Sequence, residues 1–169
     1  MAGPSAGTFR RLAAATYDGL LLLAALMLVT ALLQGFTHGA AITRARVGAY
    51  EYPYCALLLL CVAGYYLPAW MRRGQTLGMK AWNIRLETLS GDLPELGRAL
   101  LRLAVAAPLY VLALAGILVM IAHRGGPLVL IACLAPLIAS FAWHAFTGGG
   151  TLPDRLSGTR VTRIAATAI

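Results

Sequence analysis

The chain has 169 residues, of which 60% are hydrophobic and 12% charged, a balance that excludes an ordinary soluble domain and favours an integral membrane protein. The net charge is +8, but the basic residues stand at the ends of apolar stretches rather than in an aromatic-interleaved patch, so anionic lipid is a better counter-charge than nucleic acid. Cys55, Cys61 and Cys133 have no metal-binding spacing, and we predict no cofactor.

Four apolar stretches are each long enough to cross about 30 Å of hydrocarbon. They cover residues 12–33, 52–71, 103–122 and 127–146. The turn between the last two is so short that it predicts an antiparallel helical hairpin. The sequence therefore predicts an all-α membrane protein, a four-helix transmembrane bundle that forms a single domain over residues 1–169.

The distribution of Lys and Arg predicts the orientation of these spans. The N-terminus, the segment 72–102 and the tail 147–169 together carry 11 of the 14 basic residues. The remaining three are Arg44, Arg46 and Arg124. Because cytoplasmic loops of membrane proteins are enriched in Lys and Arg, we expect both termini, the middle segment and the tail in the cytoplasm.

The cytoplasmic segments contain three short elements. Residues 76–82 are predicted to form an amphipathic helix in the membrane interface. Apolar and charged residues then alternate over residues 84–88, which is typical of a strand, and residues 159–164 also have strand character. We expect these two strands to pair as a small β-ribbon, since neither alone satisfies its backbone groups. An extended, disordered tail is the alternative.

One carboxylate lies within the first span. Asp18 is about two turns inside it, where an unpaired charge costs several kcal/mol. Arg11 lies on the same helix face, and the tail supplies Asp154 and Arg155, so the candidate network is Arg11, Asp18, Asp154 and Arg155. Two interpretations remain open: an ion-pair cluster that clamps the tail onto the first helix, or a proton or cation site that uses Asp18.

Three stretches of the chain resemble, in order and spacing, the RDD family of small bacterial membrane proteins. They read RRLAAATYDGLLLL, GQTLGMKAWNIRLETLSGDLPELGRALLR and PDRLSGTRV. The family is named for an arginine and two aspartates, which here would be Arg11, Asp18 and Asp154. Further cytoplasmic positions that match the motif are Gly74, Gln75, Gly78, Lys80, Arg85, Gly158 and Thr159.

The resemblance implies a multi-pass protein of the bacterial inner membrane, and it says less about activity. Some family members have been linked to sodium or proton exchange, so one hypothesis is a small cation or proton transporter, working as a homo-oligomer, with Asp18 as carrier. The alternative is a non-catalytic accessory or assembly subunit that docks to a membrane protein partner through its helix faces. We do not expect an enzyme, because no nucleophile–base pair, metal cluster or phosphate-binding loop can be read from the sequence.

Overall fold

The computed structural model describes residues 4–36 and 51–164 of the chain. Arg44 and Arg46, which entered the charge count, lie outside the described residues. The elements, in chain order, are α1 (Thr8–Phe36), α2 (Glu51–Arg73), α3 (Leu77–Ala81), β1 (Ile84–Thr88), α4 (Leu96–Ile121), α5 (Pro127–Thr147), α6 (Leu152–Ser157) and β2 (Thr159–Arg163).

The long helices α1, α2, α4 and α5 confirm the predicted bundle of four spans. Each contains an apolar window with a mean hydropathy between 1.6 and 2.5, and each is long enough to cross a membrane. Large apolar side chains such as Leu20, Met27 and Leu118 point outward and are more than half exposed. Lipid tails can solvate such side chains, whereas their exposure to water would cost free energy.

The helices are not packed equally closely. Helices α4 and α5 form the predicted hairpin, and a Cβ atom at Gly116 would lie 2.5 Å from the Cβ of Cys133, so this glycine lets the two backbones approach. The buried residues of α1, in contrast, are Arg11, Ala14 and Asp18, all near its beginning. Helix α1 is therefore attached to the rest of the protein mainly at one end.

That end is here called the polar end: α1 and α4 begin there, α2 and α5 finish there, and α3, α6 and both strands lie beside it. Strands β1 and β2 pair antiparallel from Ile84 opposite Arg163 to Thr88 opposite Thr159. This pairing confirms the predicted ribbon, and the alternative of a disordered tail is wrong as far as β2 extends.

Neighbouring segments cover both edges of the ribbon. On the β2 side, the Ala6 N–H donates to the Val161 carbonyl at 2.9 Å, and on the β1 side the Leu86 N–H donates to the Gly74 carbonyl at 2.7 Å. Side chains of the ribbon then pack with Trp70 into the small core of the polar end. The fold thus brings distant parts of the chain together where α1 begins.

Candidate functional site

Asp154 lies in the first turn of α6, where the preceding glycines turn the chain back toward the bundle. Gly148 ends α5 with a φ of +65°, and Gly150 has a φ of +84°, conformations that favour glycine. The Thr151 backbone N–H donates to Asp154 Oδ2 at 2.9 Å, which fixes the carboxylate at the start of α6. The glycine stretch therefore aims Asp154 at the beginning of α1 and α4.

The Asp154 carboxylate forms ion pairs with two arginines, Arg11 of α1 and Arg102 of α4. Arg11 also donates to the carbonyls of Ala6 at 2.8 Å and Val161 at 3.0 Å, and Arg102 also donates to Thr159 Oγ1 at 2.8 Å. Buried charges are tolerated when they are paired and hydrogen-bonded in this way. The three charged residues, called here the Arg–Asp–Arg clamp, join α1, α4, α6 and β2.

Burial and the neighbouring hydrogen-bond donors shift the pKa of Asp154 in opposite directions. Burial alone raises the pKa of its carboxyl, because desolvation disfavours the charged form. Arg102, Arg11 and the Thr151 N–H stabilise the charged form more strongly, and together they hold the pKa well below its ordinary value. Asp154 is therefore ionised at every physiological pH.

Asp18 occupies a second site, separate from the clamp. One carboxylate oxygen accepts hydrogen bonds from Tyr65 Oη at 2.5 Å and from the Gly78 backbone N–H at 2.7 Å, and the other accepts from Thr76 Oγ1. The Asp18 residue is only 2% exposed. Within residues 4–36 and 51–164, no ion pair joins Asp18 to a cationic side chain, so its partners are all uncharged.

The four residues of the predicted network are thus divided among three places. Arg11 and Asp154 meet in the clamp, and Asp18 lies in its own site. Arg155 is exposed and holds its guanidinium 5.2 Å from the centre of the Trp143 ring. Sequence reasoning missed Arg102, and it also missed Tyr65 and Thr76 as partners of Asp18. Arg102 was signalled by its place one residue before a predicted span and by its position at the end of the second family-like stretch.

The other motif residues support the backbone around both sites. Gly74 turns the chain with a φ of +66°, and Gln75 Nε2 donates to the Ile84 carbonyl at 2.8 Å. Gly158 ends α6 with a φ of +62°, and its carbonyl accepts a hydrogen bond from Arg98 at 3.2 Å. Thr159, as described above, accepts from Arg102.

The remaining two motif residues, Lys80 and Arg85, stand apart from both sites. Lys80 is exposed, and Arg85 is half-buried in β1. Among the contacts of the described residues, neither one touches the carboxylate of Asp18 or of Asp154.

A cavity of about 310 Å³ reaches from the polar end into the bundle, between α1 and α4. At the polar end it is lined by Arg11, Asp18 and Arg102, and further in by apolar side chains such as Leu22 and Leu114. Asp18 with the hydroxyls of Tyr65 and Thr76 is an oxygen-only site, of the kind that hard cations and protons prefer. The part of the chain that the structure describes contains no cluster of three His, Cys, Asp or Glu side chains able to hold a metal ion.

Comparison with known proteins gives one match. The RDD family model matches residues 5–126, which include Arg11, Asp18 and Arg102 and end before Asp154. No curated protein and no solved structure matches the chain.

Proposed function

Because the chain belongs to the RDD family and is a multi-pass membrane protein, we propose that it is a small cation or proton exchanger with Asp18 as the ion-carrying group. One observation carries the proposal: Asp18 lies in a membrane-spanning helix, lines the cavity and has only uncharged partners. An ionisable side chain at such a position is a functional candidate by default, because its burial is expensive.

The contrast with Asp154 supports the choice of Asp18. A proton or cation that bound Asp154 would have to replace Arg11 or Arg102, and that exchange would leave a guanidinium buried without its counter-charge. At Asp18, binding exchanges only hydrogen bonds. The hydroxyls of Tyr65 and Thr76 can rotate from donating to the carboxylate to presenting their oxygens to a cation.

The proposal includes an orientation and an assembly. The polar end carries most of the basic residues of the described chain, which supports a cytoplasmic position for it in a bacterial inner membrane. The lining of this cavity ends at Leu26 on α1 and at Leu114 on α4, so within the described residues the cavity reaches only part of the way along these helices. A homo-oligomer, or an alternative packing of α1, completes it.

The experiment is cation-driven proton exchange in sealed liposomes that contain the purified protein. We compare the wild type with Asp18→Asn, which keeps the side-chain shape but cannot cycle a proton, at matched reconstitution. Asp92→Asn is the control, because Asp92 is an exposed carboxylate in the turn after β1, where it accepts a hydrogen bond from Ser90.

Exchange that is lost in Asp18→Asn and retained in Asp92→Asn is the expected result. Exchange that survives in Asp18→Asn would show that another group carries the ion. No exchange by folded wild-type protein would overturn the transport function itself.

A second candidate function rests on helix α1. Beyond Asp18, none of the residues of α1 is buried, whereas α4 buries Ala113 and Gly116 and α5 buries Ser140 and His144. A helix that is buried only near one end, with many exposed side chains beyond it, is suited to packing against a partner helix. On this hypothesis the protein is a non-catalytic accessory subunit, and it would copurify from native membranes with a stoichiometric membrane partner and show no exchange of its own.

A further inference from the structure

Two side chains at the polar end of the cavity carry hydrogen-bond donors that have no acceptor among the described residues. Trp70 is 4% exposed, and its indole Nε1–H has no hydrogen-bond partner among the described residues. Arg102 makes both of its hydrogen bonds through Nη1, so its Nε and Nη2 groups have no partner in residues 4–36 and 51–164. Both side chains line the cavity. The buried indole N–H calls for an acceptor, since leaving a buried donor unpaired is costly, and the free N–H groups of Arg102 can donate to the same acceptor.

The charge of the clamp, taken by itself, also favours a negatively charged acceptor. Arg11 and Arg102 share the single carboxylate of Asp154, so the clamp carries one excess positive charge. Asp18 also lines this end of the cavity, but its oxygens accept hydrogen bonds from Tyr65, Thr76 and Gly78, and within the described residues it forms no ion pair with either arginine. A ligand group with one negative charge balances the clamp.

The rest of the cavity is apolar. From the polar end it continues between α1 and α4 along Leu22, Leu26, Leu109 and Leu114, and its volume of about 310 Å³ is at the lower end of the range for small-ligand pockets. A ligand that fits both parts has an anionic head and a hydrocarbon chain, with the head at the membrane surface and the chain toward the centre of the bilayer.

From these features we infer that the cavity binds one acyl chain of an anionic phospholipid, whose phosphate accepts hydrogen bonds from Arg102 and Trp70. A phosphodiester carries one negative charge and several acceptor oxygens, which matches the excess charge and the unpaired donors. Asp18 lines the same cavity, so a bound acyl chain would lie beside the proposed ion site. The inference itself does not rest on ion exchange, and it remains if the proposed function fails.

The test measures lipid bound to the purified protein by native mass spectrometry in a non-ionic detergent, without any ion gradient. The probes are phosphatidylglycerol, the zwitterionic phosphatidylcholine and free oleate, all at equal concentration. We expect one phosphatidylglycerol per chain, bound in preference to both other probes. Equal retention of phosphatidylglycerol and phosphatidylcholine would overturn the inference, and preferential retention of oleate would replace the phospholipid with a fatty acid.

Two variants test the position of the lipid. Trp70→Phe keeps an aromatic ring beside Arg102 but removes the N–H, and we expect it to weaken phosphatidylglycerol binding about tenfold. Gly19→Leu adds a side chain at the cavity wall, where a Cβ atom meets nothing within 4 Å, and we expect it to displace the lipid without disturbing the fold.

Gly64→Leu is the matched control, because Gly64 also has open space for a Cβ atom but does not line the cavity. We expect it to bind phosphatidylglycerol as the wild type does. Unchanged binding in Gly19→Leu, or an equal loss of binding in Gly19→Leu and Gly64→Leu, would show that the lipid lies elsewhere.

Discussion

Gly78 and Asp18 are in direct contact across the polar end, and the contact requires a residue without a side chain. The Gly78 backbone N–H donates to Asp18 Oδ1 at 2.7 Å, and a Cβ atom at Gly78 would lie 2.8 Å from Asp18 Cγ. Thr76, which caps the start of α3, donates to the same carboxylate. Asp18 therefore positions the short helix α3 against α1 as well as lining the cavity.

Gly78→Ala is predicted to displace the Asp18 carboxylate from α3. The added methyl group occupies the space of the carboxylate, and the loss of one buried hydrogen bond to a charged group costs about 1.5–3 kcal/mol. Thermal unfolding in detergent measures the effect. Gly97→Ala serves as the control, because Gly97 is exposed and has open space for a Cβ atom, and a drop of equal size in both variants would contradict the assignment.

Asp154→Asn is predicted to be the most destabilising of the single carboxylate substitutions. The substitution leaves Arg11 and Arg102 buried without a counter-charge. Removing one partner of a buried ion pair costs about 3–5 kcal/mol of folding free energy. The free energy of unfolding measures it, with Arg155→Gln as the control. Because the Arg155 side chain is exposed and its guanidinium lies over the Trp143 ring, the loss of this cation–π contact should cost about 1 kcal/mol or less.

The clamp also predicts how stability depends on pH. Because the pKa of Asp154 is lower in the folded protein than in the unfolded chain, its contribution is fully present above the ordinary aspartate pKa of about 4. It is lost as the pH falls from there toward the folded pKa. The stability of the wild type should therefore fall steeply in strong acid. The Asp154→Asn variant should not show the part of this loss that protonation of Asp154 causes. Parallel acid profiles of the two proteins would argue against the clamp.

Tyr65→Phe removes one hydrogen bond from Asp18 and leaves the aromatic ring in place. If Asp18 carries the ion, the variant still exchanges but with a changed apparent affinity for the cation, since the carboxylate keeps its charge and loses a neighbouring oxygen. Exchange rates at a series of cation concentrations measure this change. The Tyr17→Phe variant, in which an exposed hydroxyl is removed from α1, should match the wild type.

Features carried by neighbouring residues could be predicted from the sequence. The four spans were predicted from continuous apolar stretches. Helix α3 was predicted from the short amphipathic segment between Thr76 and Trp82, and strand β1 from the alternation of apolar and charged residues over Ile84–Thr88. The pairing of β1 with β2 was also predicted, because two isolated strands at the same side of the membrane need partners for their backbone groups.

The candidate site could be predicted only in part, since its contacts depend on how distant segments meet. Asp154 and Arg102 are 52 positions apart, and their contact depends on the turn that Gly148 and Gly150 make before α6. Spacing on one helix placed Arg11 and Asp18 on a common face but could not show that α3 returns to supply uncharged partners for Asp18. The separation of the two aspartates into different sites is therefore a property of the tertiary structure.

The most direct test of the central claim, that Asp18 carries the ion and Asp154 holds the fold, is to measure folded yield and exchange per folded molecule for Asp18→Asn and Asp154→Asn side by side. We predict that Asp18→Asn keeps a folded yield near that of the wild type and loses exchange. Asp154→Asn should lose folded yield, and its remaining folded molecules should still exchange. If Asp18→Asn instead loses yield and exchange in equal proportion, Asp18 acts through the fold alone and the claim is contradicted.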